Sequence, residues 1–494
     1  MKKIEVCNPV TGEVVGVVDC AAFSDLSLCA EAARQAQKSW AQRSFAERAA
    51  VVRRFHDLVL DRSERILDVV QSETGKSRRD AFSEVVTVAG TARYYLANGE
   101  THLASKRRAG AVPAFTDAEI VYKPHGLVGL ITPWNYPFLL ATGDAIPALL
   151  AGNAVIVKPS EVTPLSATLA RDLFLEAGLD ARLLTMIHGA GEIGGELIRH
   201  VDYVGFTGGT ATGRKVGVAA AERLIPCSLE LGGKNPMIVL AGAPLDEAVT
   251  GLIAGAFSNA GQTCISVERV YVEEPVFEAF ARRAVEKASA MKLGWSKSWE
   301  LDMGSLIGAG HAEKVMRHLD QARDAGARVL AGGGRRPDLG PAFVEPTVLV
   351  NVPESAAVFS EETFGPLVSL YPVRDREDAI RRANATEFGL NASVWTGDGA
   401  RLTSIARRLE TGSAAINSTL LIYNSFDVPM GGVKRSGIGR RHGEQGILRF
   451  TQAQSIVSSM ASGGGYDALL THLDRPSRAK LILKALRIMG KLGW

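Results

Sequence analysis

Apolar residues recur at three- and four-residue spacing around 45–70 and 81–97, with polar residues between them, which predicts mostly helices in the first hundred residues. The pattern then changes. Short apolar runs at 127–132, 154–158, 183–188 and 203–207 predict strands. They alternate with helical stretches over 139–151 and 164–177 and with helices opening near Gly191 and Thr210. Strands alternating with helices imply a parallel sheet covered on both faces, hence an α/β fold class. A second alternating stretch runs from about 236 to 430, starting with the apolar run 237–240, and predicts another α/β domain. The glycine cluster 462–465 is the one obvious flexible joint.

Bulk properties narrow the class. A chain of 494 residues is too long for one core and should divide into two or three domains. The five cysteines (Cys7, Cys20, Cys29, Cys227, Cys264) form no CxxC pair, which fits reduced thiols and a cytoplasmic setting. The first residues lead into polar sequence, so no secretory leader is expected, and no apolar stretch reaches the length of a membrane span. The net charge of +3 is uneven: residues 475–494 hold six basic residues and no acid, leaving −3 on the rest. The body of the chain therefore lacks the excess positive charge that binding to nucleic-acid phosphates requires. In the tail, Lys480, Lys484, Arg487 and Lys491 fall on one stripe of a helix at about 100° per residue. Ile482, Ala485, Leu486, Met489 and Leu492 occupy much of the opposite face, and Trp494 follows. Such a helix suits either an anionic membrane surface or packing on another subunit.

The unusual segments fall where ligands bind in open α/β sheets, after the C-terminal ends of strands. They are Pro133-Trp134-Asn135-Tyr136-Pro137, Lys158-Pro159-Ser160-Glu161 and the glycine-rich 205–213. Further along stand Leu229-Glu230-Leu231-Gly232-Gly233, Gly261-Gln262-Thr263-Cys264 and Glu361-Glu362-Thr363-Phe364-Gly365-Pro366. With these motifs in this order, the chain resembles an aldehyde dehydrogenase from about 5 to 460. A thiol nucleophile and a carboxylate base are the two groups needed to oxidise an aldehyde to an acid through a thioester.

The resemblance implies an aldehyde dehydrogenase fold: a Rossmann-like cofactor domain over 1–105 and 125–232, a catalytic domain over 233–430, and oligomerisation segments at 106–124 and 446–460. A basic tail covers 466–494, and a homodimer or homotetramer is expected. Cys264 would be the nucleophile, Glu230 the base that activates water against the thioester, and Asn135 a donor to the oxyanion. Glu230 also argues against the CoA-acylating branch, which lacks that glutamate. No metal is required. Trp134, Lys158, Glu161, Gly191, Thr207, Gly208, Gly209, Gly213, Leu231, Gly232, Glu362 and Phe364 would contact NAD, with NADP possible. Glu161 should repel a 2′-phosphate and favour NAD. The chain departs from the family at Gly209, where a serine is usual, so backbone N–H groups would carry more of the diphosphate contact.

The resemblance extends to bacterial enzymes called succinate-semialdehyde dehydrogenases, whose carboxylate-binding arginines would correspond to Gly143 and Ser258. Neither can pair with a carboxylate. Gly143 should widen the entrance, with Phe138, Leu139, Leu140, Phe257, Ile265 and Phe426 as walls. These features point to a medium- or long-chain aliphatic or aromatic aldehyde. The alternatives are succinate semialdehyde, with Arg435 or another residue supplying the charge, and a non-catalytic nucleotide-binding or membrane-associated protein.

Overall fold

The computed structural model describes residues 3–110, 116–397, 399–459 and 476–491. Residues Met1–His102 and Pro124–Phe450 form one compact unit; residues 103–123 and 451–494 belong to a second. The glycine cluster 462–465, the start of the tail at 466–475, Leu492 and Trp494 lie outside the described residues.

The first unit contains two large sheets. One has six strands in the order Gly437–Ile438, Cys227–Glu230, Tyr203–Thr207, Leu127–Ile131, Ala154–Lys158, Leu184–Met186. All but the first pairing are parallel. Chain order runs outward in both directions from Leu127–Ile131, so its junction with Tyr203–Thr207 is a topological switch point, where such sheets open a crevice. The strands are buried on both faces, as their unbroken apolar runs require. The second sheet orders seven strands as Arg328–Ala331, Thr347–Val350, Leu367–Val373, Val267–Glu273, Asn235–Val239, Asn391–Trp395, Ser413–Ile416. Its core is built on Val270, Val272, Val348, Val368, Leu252 and Phe280, all fully buried.

Several elements differ from the periodicity reading. The helix expected over 139–151 is two short ones, Pro137–Thr142 and Ala145–Leu150. Pro147 has no N–H for the carbonyl of Gly143, four residues back, and its ring crowds that carbonyl, so the helix breaks there. The helix expected over 45–70 divides into Phe45–Asp61 and Ser63–Thr74 at Arg62, whose backbone (φ −102°, ψ 16°) leaves the helical region. Helix Arg78–Leu103 outruns 81–97 at both ends. Beyond 430 the chain is still part of the first unit, because Gly437–Ile438 returns to pair antiparallel with Cys227–Glu230.

In the second unit, Lys106–Ala109, Thr116–Pro124 and Thr451–Ser459 form a three-stranded sheet. The last of these begins at 451 rather than 446, since Gly443–Leu448 is helical. Its edge strand exposes Ile456 and Val457. Helix Pro476–Lys491 carries exposed Lys480, Leu481, Leu483 and Lys484. Among the described residues no helix is long and apolar enough to cross a membrane.

Candidate active site

Cys264 follows an unusual stretch of backbone. Asn259, Ala260 and Gly261 have φ of 52°, 53° and 72°, three successive left-handed residues after helix Leu245–Phe257. Asn tolerates this region and Ala does not, so the turn carries strain held by its surroundings. Gly261 is obligatory there: a Cβ would strike the carbonyl of Gly365. Gln262 locks the turn, donating from Nε2 to Asn259 O (2.9 Å) and accepting from Ile307 N (2.8 Å). Asn235 Nδ2 donates to the carbonyls of Cys264 (2.9 Å) and Ser266 (2.8 Å). All five cysteines are free, and burial pushes the Cys264 thiol up to about 12, with the Glu230 carboxylate adding to the shift.

Asn135 is held from several sides. Its carbonyl accepts from Lys76 Nζ (2.7 Å) and Asn259 Nδ2 (2.9 Å), while its own Nδ2 donates to Gln262 O (2.9 Å). Lys76 in turn pairs with Glu84 (2.7 Å), both fully buried, and lies 4.3 Å from the centroid of the Tyr136 ring. The second proton of the Asn135 amide remains for an oxygen in the cavity.

Glu230 ends strand Cys227–Glu230. Its Oε1 is buried with no hydrogen-bond partner. Burial raises its pKa to about 7, against the opposing charges of Arg441 and Arg449. A carboxylate poised near neutrality with a free oxygen is equipped to take a proton. Glu362 is also raised to about 7 by burial and then by Glu268; its Oε1 accepts from Gly233 N (2.9 Å). Gly232 lies against this carboxylate, and any Cβ there would collide with it. Phe364, at φ 58°, stands edge-on to Trp134 with ring centroids 5.5 Å apart. Its loop is fastened by Glu268, which accepts from Thr363 N (3.0 Å) and Phe364 N (3.1 Å) and pairs with buried Lys234.

These groups line one cavity of about 330 Å³. It gathers Cys264, Glu230 and Asn135 with Trp134, Thr207, Gly208, Gly209, Leu231, Gly232, Glu362 and Phe364. Lys158, Glu161, Gly191 and Gly213 lie outside its lining. Lys158 is buried at the end of its strand, donating to Pro159 O (2.9 Å) and Glu161 (3.2 Å). Gly213 makes room for the Leu231 side chain, which a Cβ would strike.

The cavity wall corrects part of the substrate reading. Leu139, Leu140 and Ile265 line it; Phe138 and Phe257 are 0% exposed and belong to the core, and Phe426 is not in the lining either. Phe426 instead packs against the helix at Gly90. Gly143 is not in this lining; with Asp144, His442 and Arg449 it borders a space of about 10 Å³ that shares Leu139, Leu140, Tyr423 and Arg441 with the cavity wall. Arg435 pairs with Glu387 at the surface and does not reach the cavity. Sequence reasoning missed Leu420, Tyr423 and Met430, which pack by Cys264 and Ile265, and the buried cations Lys76 and Arg441. Arg441 binds Asp144 (3.0 Å) and Thr207. Its position in Gly-Arg-Arg-His-Gly, among surface-like charges, gave no signal of burial.

Comparison with known proteins agrees with this geometry. The family model described as Aldehyde dehydrogenase family matches residues 1–456. A Mycolicibacterium smegmatis protein with the provisional name succinate-semialdehyde dehydrogenase, NADP(+), is 45% identical over 91% of this chain and 87% of its own. The mitochondrial succinate-semialdehyde dehydrogenase of Oryza sativa subsp. japonica is 36% identical over 92% and 86%. Among solved structures, an E. coli NADP dependent enzyme superposes with a TM-score of 0.90 at 33% identity, covering 93% of this chain and 95% of that one. The NAD+ complex of an aldehyde dehydrogenase from Bacillus cereus gives 0.89 at 33% identity, covering 93% and 94%. The chain belongs to the aldehyde dehydrogenase family.

Proposed function

We propose that this aldehyde dehydrogenase oxidises an apolar aldehyde, medium- or long-chain aliphatic or aromatic, to its carboxylic acid with NAD(P). What carries the reading is the single cavity that joins Cys264, Glu230 and Asn135 to an uncharged wall of Leu139, Leu140, Ile265, Leu420 and Met430. Cys264 Sγ adds to the aldehyde carbon, and the Asn135 amide donates to the oxygen that becomes negative, a contact worth roughly 3–4 kcal/mol. The addition gives a thiohemiacetal, which becomes a thioester on loss of hydride, and Glu230 Oε1 takes the proton of the water that hydrolyses that thioester.

The residues present fit a nicotinamide dinucleotide. Helix Thr210–Glu222 starts at Gly209 with no side-chain cap, leaving its first N–H groups for a diphosphate. Space beyond Gly209 and Gly191 is open, since a Cβ at either meets nothing within 4 Å. Lys158 and Glu161 would hold the adenosine ribose, and Glu362 and Phe364 the nicotinamide riboside. Bound there, the cofactor supplies the hydride acceptor.

Comparison of kcat/KM for decanal and succinate semialdehyde tests the substrate. A strong preference for decanal is expected. Preference for the semialdehyde, the aldehyde named in the relatives above, would mean that Arg441 or Lys314, the cations in the lining, binds a distal carboxylate. The exposed edge strand Thr451–Ser459 supports assembly into a dimer or tetramer; a monomer mass by light scattering would overturn this. Exposed Leu481 and Leu483 between Lys480 and Lys484 support contact of the tail with anionic membranes. Equal sedimentation with anionic vesicles of the full chain and a chain ending at 462 would sink that part.

A further inference from the structure

The base side of the cavity holds an unbalanced group of buried charges. Thr207 and Glu230 are register partners on neighbouring parallel strands, and Ser228 precedes Glu230 by two residues. The three side chains therefore share one face of the sheet. Arg441 Nη2 donates to Thr207 Oγ1 and to Asp144 Oδ2 (3.0 Å). Arg449 donates from Nη1 to Ser228 Oγ (3.3 Å) and from Nη2 to Asp144 Oδ1. Guanidinium groups thus touch the side chain beside Glu230 on the next strand and the one two residues before it on its own. The side chains of Asp144, Arg441 and Arg449 are each only 9% exposed. Both Nε atoms, like Glu230 Oε1, are buried without a hydrogen-bond partner.

The surrounding titratable groups do not cancel the imbalance. Burial lowers His442 to about 4 and leaves it neutral. Tyr95, Tyr203 and Tyr423 are all held protonated by burial. Asp144 is kept ionised, its burial outweighed by Arg441 and Arg449. Arg440 donates to the carbonyls of Gly432 (2.9 Å) and Gly439 (2.7 Å), and its charge adds to those of Arg441 and Arg449 at Glu230. On the cavity side the lining adds Cys264 and Glu362, with Lys314 acting on Glu362, and His311, whose pKa burial lowers.

The geometry points to Asp144, Arg441 and Arg449 as a fixed counter-charge of net +1 for one negative charge shared between Glu230 and Cys264. Arg441 and Arg449 are positioning residues in this scheme, which rests on the reading of Cys264 and Glu230 as nucleophile and base. When Glu230 Oε1 takes the Cys264 Sγ proton, the negative charge leaves the carboxylate and appears on sulfur, and the pair remains at −1. The same excess cation serves both states. Without it, desolvation would leave both groups protonated at neutral pH.

Alkylation of Cys264 by iodoacetamide in the cofactor-free protein, followed by mass spectrometry across pH, tests this without requiring turnover. Arg441→Met should slow alkylation at pH 7.5 about tenfold and move its midpoint up by about one unit. Arg441→Lys, which keeps the charge, should stay near wild type. Asp144→Asn raises the excess charge and should move the midpoint down. If Arg441→Met does not fold, Arg449→Met carries the same expectation, because it leaves an Asp144–Arg441 pair. Midpoints that do not move, or that move the same way in the Met and Asn variants, would overturn the counter-charge. A wild-type Cys264 no more reactive than the other four cysteines would instead overturn the nucleophile reading.

Discussion

Lys76 and Glu84 on one side of the cavity, and Asp144, Arg441 and Arg449 on the other, are both buried ion clusters, yet they are completed differently. Lys76 Nζ donates to Glu84 Oε1 and to the Asn135 carbonyl, both at 2.7 Å, and Glu84 Oε2 accepts from Leu139 N (3.0 Å). One cation meets one anion, and both carboxylate oxygens are used. The other cluster has two cations to one anion and leaves both Nε atoms unpaired, as Glu230 Oε1 is. The difference follows the work of the adjacent residue. In the proposed reaction Asn135 stays neutral and acts through direction, and its support is a closed hydrogen-bond network. As the proposed base Glu230 would gain and lose a proton, so a fixed hydrogen bond to its oxygen would hinder it, and its support would act through the field instead.

The largest expected effect comes from opening the closed cluster. Lys76→Met leaves Glu84 buried and uncompensated, and removing one partner of such a pair costs about 3–5 kcal/mol. The denaturation midpoint should drop accordingly, and the released Asn135 segment should lower kcat as well. A variant as stable as wild type would show that Glu84 simply accepts a proton, a route that its burial already favours. The closed network would then matter for direction alone.

Asn135→Ala comes next and separates direction from stability. It removes the oxyanion donor but spares the backbone carbonyl that Lys76 and Asn259 hold. A loss of about 10²–10³ in kcat is expected, as for removal of one oxyanion donor, with a much smaller change in melting temperature. A kcat within threefold of wild type would remove Asn135 from the reaction and leave the Lys76 network as scaffolding.

The residue that the closed cluster supports was legible in the sequence, but neither cluster was. Asn135 lies in a five-residue motif after an apolar strand, and the resemblance carried by that motif put it beside Cys264 and Glu230, where the cavity lining has it. The alternation over 127–230 announced a parallel sheet because such strands are buried on both faces and read as unbroken apolar runs. Asp144, Arg441 and Arg449 meet only because Gly437–Ile438 pairs with Cys227–Glu230 and brings the chain back beside the base. No periodicity encodes that return, and arginine in a polar stretch ordinarily means surface. The break at Gly143 had a visible cause in Pro147, but the apolar spacing on either side masked it. Phe138 and Phe257 have the composition of pocket walls, and only packing shows that they point into the core.

Ser228→Ala should have the smallest effect, and it sharpens the comparison most. Ser228 Oγ accepts from Arg449 at 3.3 Å, a long bond to a neutral group, and its loss leaves the net charge of the cluster unchanged. Glu230 has a raised pKa of about 7, so its basic form is lost as pH falls through that value, and kcat limited by thioester hydrolysis should fall with it. If charge governs the base side, the Ser228→Ala variant keeps this limb within about 0.2 units, and stability changes by no more than about 1 kcal/mol. If the limb instead rises by half a unit or more, hydrogen-bond direction controls Glu230 as it controls Asn135. The two sides of the cavity would then work by the same means, and the contrast between them would lie only in the number of charges.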